Sequence, residues 1–219
     1  MVGEVVAKTV KPKLRGVSHT YAFFGSLVAG AALILAASGG EAKAAAAVYA
    51  FAVSGLFGTS ALYHRVTWRP TPRRWMRRLD HSMIFILIAG TYTPIALLAL
   101  HGPLATTILV VVWVGAIAGI VFKLFWIDAP KWLFAIIYVA LGLVAGAVGG
   151  ELPAAIGWLG AAGIALGGIS YVTGAVIYAT EKPNPSPTVF GYHEVFHVLV
   201  IAAAVVHYAV IAFLVVPKA

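Results

Sequence analysis

Residues 104–123 read LATTILVVVWVGAIAGIVFK, nineteen residues without an ionisable side chain, closed by Lys123. At about 1.5 Å of rise per residue a helix of this length covers about 30 Å, the thickness of the hydrocarbon core of a bilayer. In lipid every backbone N–H and C=O must be satisfied within the structure, so an uncharged run of this length reads as a membrane-spanning helix. Working outward, similar apolar runs occupy 18–38, 44–64 and 81–100 before it, and 132–150, 155–179 and 192–216 after it. The whole chain agrees: 62% of its residues are hydrophobic, 10% are charged, and the mean hydropathy is +0.97, far outside the soluble range. The expected fold is all-α, a polytopic membrane protein with seven transmembrane helices forming a single domain over residues 1–219. Membrane lipids are then its first partners, and the abundant Gly and Ala suit close helix packing in lipid.

The cations set an expected orientation. Taking the segments between spans alternately, 13 of the 15 Lys and Arg residues fall on one side, and only Lys43 and Lys218 on the other. The positive-inside bias therefore places the N-terminus in the cytoplasm and the C-terminus outside. The strongest element is the loop carrying Arg65, Arg69, Arg73, Arg74, Arg77 and Arg78, which could also meet anionic headgroups. A formal charge of +8 in a soluble protein would raise the question of nucleic acid. Here the charges sit between apolar spans, so they read as topology signals and no nucleic-acid partner is expected. The first span follows Lys8, Lys11, Lys13 and Arg15 as a secretory signal would, but its apolar core exceeds the roughly 7–15 residues of a signal peptide, so an uncleaved helix is expected.

Ionisable groups at the centre of a span cost about 2.5–3.5 kcal/mol each on the insertion scale, so the few present are informative. The second span ends at Ser60-Ala61-Leu62-Tyr63-His64, where Ser60 and His64 share a helix face one turn apart. The third begins with Leu79-Asp80-His81-Ser82. The seventh begins with Tyr192-His193-Glu194-Val195-Phe196-His197, and its i, i+4 histidines also share a face. All three sets lie at the cytoplasmic level. Three neutral imidazoles with an open fourth position are the ligand set of a catalytic zinc site, so His64, His193 and His197 are the expected ligands of one zinc ion. The chain has no cysteine, which excludes thiolate ligands, disulfides and a Cys nucleophile. Asp80 could hold the zinc-bound water or take its proton, and Ser60 could donate to a substrate oxygen or orient a ligand.

His193 to His197 also matches HExxH, in which Glu194 would be the general base of a metalloprotease. Against that, Glu194 stands about 100° round the helix from His193. His19, at the inner end of the first span, and His81, beside Asp80, are supporting candidates. His207 lies ten residues beyond His197, about 15 Å deeper, too far to share the ion. His101 falls in an outer turn and is assigned no role.

Taken together, Ser60-x3-His64, Leu79-Asp80-His81-Ser82 after a basic segment, and His193-x3-His197-Val198-Leu199 in the last helix resemble the hemolysin III family, the bacterial branch of the progestin and adipoQ receptor family. The resemblance runs over nearly the whole chain. It implies a seven-helix protein of the bacterial inner membrane with zinc on His64, His193 and His197, and with Asp80 and Ser60 beside the metal. The wider superfamily includes alkaline ceramidases, which implies zinc-dependent hydrolysis of a lipid amide and hence a lipid substrate. The alternatives are a structural zinc in a membrane-homeostasis, receptor or channel-like protein, and a pore-forming cytolysin. Spans that are apolar all round do not suit a pore former that must first exist in water. One departure stands out: the Glu and Asn common in the family before the first-helix histidine are absent from Arg15-Gly16-Val17-Ser18-His19. Glu194 is not part of the family pattern, which lowers the protease reading.

Overall fold

The computed structural model describes residues 11–148 and 150–218; Lys8, one of the orienting cations, lies outside them. Among the described residues there are seven α-helices and no strand beyond an isolated bridge between Ser186 and Phe190. They are α1 (Val17–Ala36), α2 (Gly39–Arg65), α3 (Pro70–Leu98), α4 (Gly102–Phe125), α5 (Lys131–Gly142), α6 (Leu152–Thr180) and α7 (Tyr192–Val210). Six are long and apolar enough to cross a membrane, the last extending to Val215 through a π-helical turn over Ile211–Val215. The helix α5 has only 12 residues, but a 3₁₀ segment, Leu143–Val148, continues it. Together they advance about 30 Å, because the tighter 3₁₀ winding rises about 2 Å per residue. The 132–150 run therefore holds fewer α-helical residues than expected, and its length matches that of a crossing only when the 3₁₀ segment is included.

The arginine segment also differs from expectation. Only residues 66–69 are non-helical, and α3 begins at Pro70, eleven residues ahead of the apolar run at 81. Proline at the first helical position has its φ preset and needs no N–H partner, and arginine is a good helix former. Arg73, Arg74, Arg77 and Arg78 therefore lie on an extension of α3, with Asp80 and His81 in its continuous backbone. The helix α6 is interrupted once, at Gly157, whose φ of 77° lies in the left-handed region that glycine tolerates.

Neighbours in sequence are neighbours in space, and α1 packs on α7 to close the ring. The most buried span is α3, which touches α2, α4 and α5 and also the π turn that ends α7. Tyr92 of α3 donates to the carbonyl of Gly142 at 2.6 Å, fixing the end of α5. Facing outward are large apolar residues such as Leu35, Phe125 and Trp158, a surface that only lipid can solvate without penalty.

Candidate metal centre

The end of α2 and the start of α7 are each pinned by local hydrogen bonds, and those bonds place the histidines. At the end of α2, Trp68 donates its indole N–H at 3.1 Å to the carbonyl of Leu62, which also accepts the N–H of Val66 at 3.2 Å. At the start of α7, Glu194 stands at the third helical position and accepts the N–H of Gly191 at 2.7 Å, a satisfied orphan donor of the helix N-terminus. Asn184 accepts the N–H of Tyr192 at 3.1 Å. With both ends fixed, His64 Nε2 lies 3.2 Å from His193 Nε2, and the ligand nitrogens of His64, His193 and His197 all fall within 4.8 Å of one another.

These three side chains could hold a metal ion. A tetrahedral centre with metal–nitrogen bonds of about 2.0–2.1 Å separates its ligand nitrogens by roughly 3.3–3.4 Å, close to the spacing of His64 and His193. His64 and His197 are buried, His193 partly so, and Nδ1 of His197 is a buried nitrogen with no hydrogen-bond partner. Clustered imidazoles with an unsatisfied buried nitrogen are costly unless something positive and electron-poor binds them.

Asp80 sits beside the trio, with Oδ2 4.0 Å from Nε2 of His64 and 4.0 Å from Nε2 of His81. Those distances are too long for direct hydrogen bonds. Ser60 Oγ is 2.7 Å from Nδ1 of His19, and the His19 ring stacks on that of His197, centroids 3.8 Å apart and planes 7° from parallel. His19 is therefore brought into the cluster from α1. It can come this close because the residue ahead of α1 is Gly16: a Cβ there would lie 2.6 Å from Cβ of His64, and its φ is +78°. His81 presents its ring to Asp80, while Tyr138 of α5 donates to its backbone carbonyl at 3.1 Å. His101 takes no part, and His207 lies away from the trio with Nε2 3.1 Å from the carbonyl oxygen of Ile164.

Glu194 turns away from the three histidines. Its carboxylate is buried, pairs with the Arg15 guanidinium and caps the start of α7. The segment carrying Arg15 is itself held to the α6–α7 connection: the N–H groups of Lys13 and Leu14 donate to the carbonyls of Thr188 and Val189 at 3.0 and 3.1 Å. Arg15 had read only as an orienting charge. The one hint of more was Glu194, a carboxylate at the head of an apolar helix in a chain with just seven acidic residues, which would need a cation nearby.

The sequence profile of the family described as Haemolysin-III related matches residues 7–208. The chain belongs to this haemolysin III-related family. It is 32% identical over 194 residues to Hemolysin-3 of Bacillus cereus, covering 86% of this chain and 85% of that protein. Similarity to the Hemolysin-3 homolog of Bacillus subtilis strain 168 is 33% identity over 183 residues, 83% of each chain. A more distant relative is the human monocyte to macrophage differentiation factor, 26% identical over 170 residues, 76% of this chain and 68% of that protein. As a haemolysin III-related protein with six long apolar helices, the chain is a multi-pass integral membrane protein.

Within this haemolysin III-related fold the histidine cluster opens onto a cavity of about 670 Å³ between α3, α5, α6 and α7. Ser60, Asp80, His193 and His197 lie at one end, and apolar side chains such as Ile84, Leu87, Ile88 and Phe134 line much of the rest. Three cations also line it: Arg77, Lys123 and Lys131. Lys123 is buried with Nζ 3.6 Å from the centroid of the Phe134 ring, while Arg77 pairs with Asp128 and Lys131 with Glu181, each at 2.7 Å. A linear apolar run cannot reveal such a chamber, because residues of all seven helices contribute to its walls, most of them from α3, α5, α6 and α7.

Proposed function

We propose that the protein is a zinc-dependent hydrolase of lipid amides, with zinc held by His64, His193 and His197. The observation that carries this reading is the cavity: His193 and His197, with Asp80 and Ser60 beside them, face an apolar chamber large enough for an acyl chain. A structural zinc site is closed on four protein ligands, whereas a catalytic one keeps a position open toward substrate. When bound, zinc supplies Lewis acidity and brings water to a pKa near neutrality.

The chain's own residues account for the remaining chemistry. Amide hydrolysis forms a bond from the water oxygen to the carbonyl carbon, breaks the C–N bond and passes a proton to the leaving nitrogen. Asp80 would accept that proton and return it. Ser60, 2.7 Å from Nδ1 of His19 and hydrogen-bonded to the Asp80 side chain, would turn its hydroxyl to the substrate carbonyl oxygen, where negative charge develops. The apolar walls exclude bulk water and hold the acyl chain in line with these groups.

Glu194, bound to Arg15 and to the N–H of Gly191, is unavailable as the base that a metalloprotease would need. The name carried by the Bacillus relatives speaks for membrane lysis; leakage from liposomes at defined protein density would test whether that property extends here.

The experiment is metal analysis of the purified protein, joined to release of fatty acid from an N-acylated lipid. Stoichiometric zinc, lost in His64→Ala and in His193→Ala, is the expected result, with turnover abolished but zinc retained in Asp80→Asn. Absence of zinc, or metal content indifferent to both histidine substitutions, overturns the site. Zinc without turnover on any lipid amide favours the structural role.

A further inference from the structure

The cavity has a second polar station, deep in the membrane region and unused by the hydrolytic reading. His207 of α7 and Tyr171 of α6 both line it, with ring centroids 5.6 Å apart and planes at 61°. His207 is buried, its Nδ1 has no hydrogen-bond partner, and neither has the buried hydroxyl of Tyr171. Neighbouring hydroxyls of the cavity behave differently: Thr91, Tyr92 and Tyr138 donate to the carbonyls of Leu87, Gly142 and His81. Two unsatisfied buried polar atoms, carried by neighbouring rings that line the chamber, are a costly arrangement, and one that a ligand would relieve.

Their chemistry defines what that ligand must carry. His207 Nε2 lies 3.1 Å from the carbonyl oxygen of Ile164; a carbonyl only accepts, so Nε2 carries the proton and Nδ1 is left as an acceptor. The contact is built in, since a Cβ on Gly167 would fall 2.2 Å from that Nε2. The tyrosine hydroxyl can donate. A group that satisfies both must donate to Nδ1 and accept from the tyrosine, which an alcohol does and a ketone, ester or ether cannot.

We propose that Tyr171 and His207 form a hydroxyl-selective subsite that reads an alcohol part-way along the chain of an amphiphilic ligand whose other polar end lies at the histidine cluster. The inference rests on the cavity accepting a lipid chain, as the proposed function requires. His207 follows His197 by ten residues, which places the subsite about 15 Å along α7 from the cluster. Roughly twelve carbons of an extended chain, with C–C bonds of about 1.5 Å, cover that distance.

The test compares binding of 12-hydroxyoctadecanoate, 12-oxo-octadecanoate, 2-hydroxyoctadecanoate and octadecanoate to the full-length, metal-loaded protein, and to Tyr171→Phe and His207→Leu. Ratios between wild type and variant cancel unequal partition of the probes into detergent. In the wild type the 12-hydroxy chain should bind about tenfold more tightly than the other three, the yield of two modest neutral hydrogen bonds, and Tyr171→Phe should collapse that preference several-fold. Tyr171→Phe removes one oxygen and leaves the bond from His207 to Ile164 intact, so it remains informative should His207→Leu fail to fold. Equal affinities in the wild type mean that water alone occupies the station, and overturn the proposal. So does a preference that survives in Tyr171→Phe. Zinc content and lipid-amide turnover, measured on the same preparations, separate the two failures: turnover without hydroxyl preference refutes the subsite alone, whereas no chain binding and no turnover refute both.

Discussion

Cutting the Arg15–Glu194 pair from either side should cost different amounts, and the asymmetry follows from burial. The Glu194 side chain is 2% exposed and that of Arg15 is 18% exposed. In Arg15→Ala the carboxylate stays buried with the Gly191 N–H as its remaining partner. Leaving one member of a buried ion pair uncompensated typically costs about 3–5 kcal/mol. In Glu194→Gln the amide oxygen can still accept from Gly191 and the partly exposed guanidinium can reach water. That loss is nearer the roughly 1.5–3 kcal/mol of one charge-assisted hydrogen bond. At about 2–4 °C per kcal/mol for a chain of this size, Arg15→Ala should lower Tm by about 6–20 °C and Glu194→Gln by about 3–12 °C. The double variant, Arg15→Ala with Glu194→Gln, should lose less than the sum of the single changes, since it leaves no orphaned charge. Thermal unfolding of the four proteins in one detergent measures this. The reverse order, or an Arg15→Ala change within the ±0.5 kcal/mol of an ordinary surface site, would refute the reasoning. The same Glu194→Gln protein also bears on function: it should keep its metal and its turnover, whereas loss of all turnover with metal retained would mark Glu194 as a base.

Three further outcomes are expected. Gly16→Ala forces a side chain into a left-handed φ and against Cβ of His64, so beyond a strain of roughly 1–2 kcal/mol it should displace that imidazole and lower metal occupancy, read by elemental analysis. Chelation of the metal should lower Tm and added zinc should restore it. A metal at a hundred times its Kd stabilises by about 2.7 kcal/mol, and His193→Ala should abolish the response. Because the chain has no cysteine, single substitutions report topology cleanly: in intact cells His101→Cys should react with an impermeant thiol reagent and Arg69→Cys should not, and the opposite pattern would invert the expected orientation.

Much of this protein is written linearly. Seven apolar stretches separated by short connections, alternately basic, dictate helices in lipid, because hydrocarbon offers the backbone no other partner. The i, i+4 spacing of His193 and His197 puts both on one face whatever they pack against. The grouping of His64, Asp80 and the seventh-helix histidines at one end of the bundle also follows from where each span begins or ends. Helix boundaries were less legible: the basic segment before residue 81 looked like a loop, but arginine tolerates a helix and Pro70 starts one where the chain has left the hydrocarbon. What only the tertiary structure decided is which polar groups face each other. Glu194, identical in sequence to a protease base, is claimed by Arg15 from 179 positions earlier. His19 reaches Ser60 and His197 because Gly16 lets α1 press against α2, and His207 and Tyr171 share a chamber that no single helix encloses. Periodicity fixes the face a residue occupies on its own helix; the partner across the gap is set by how helices pack, and that depends on small residues and buried pairs scattered along the whole chain.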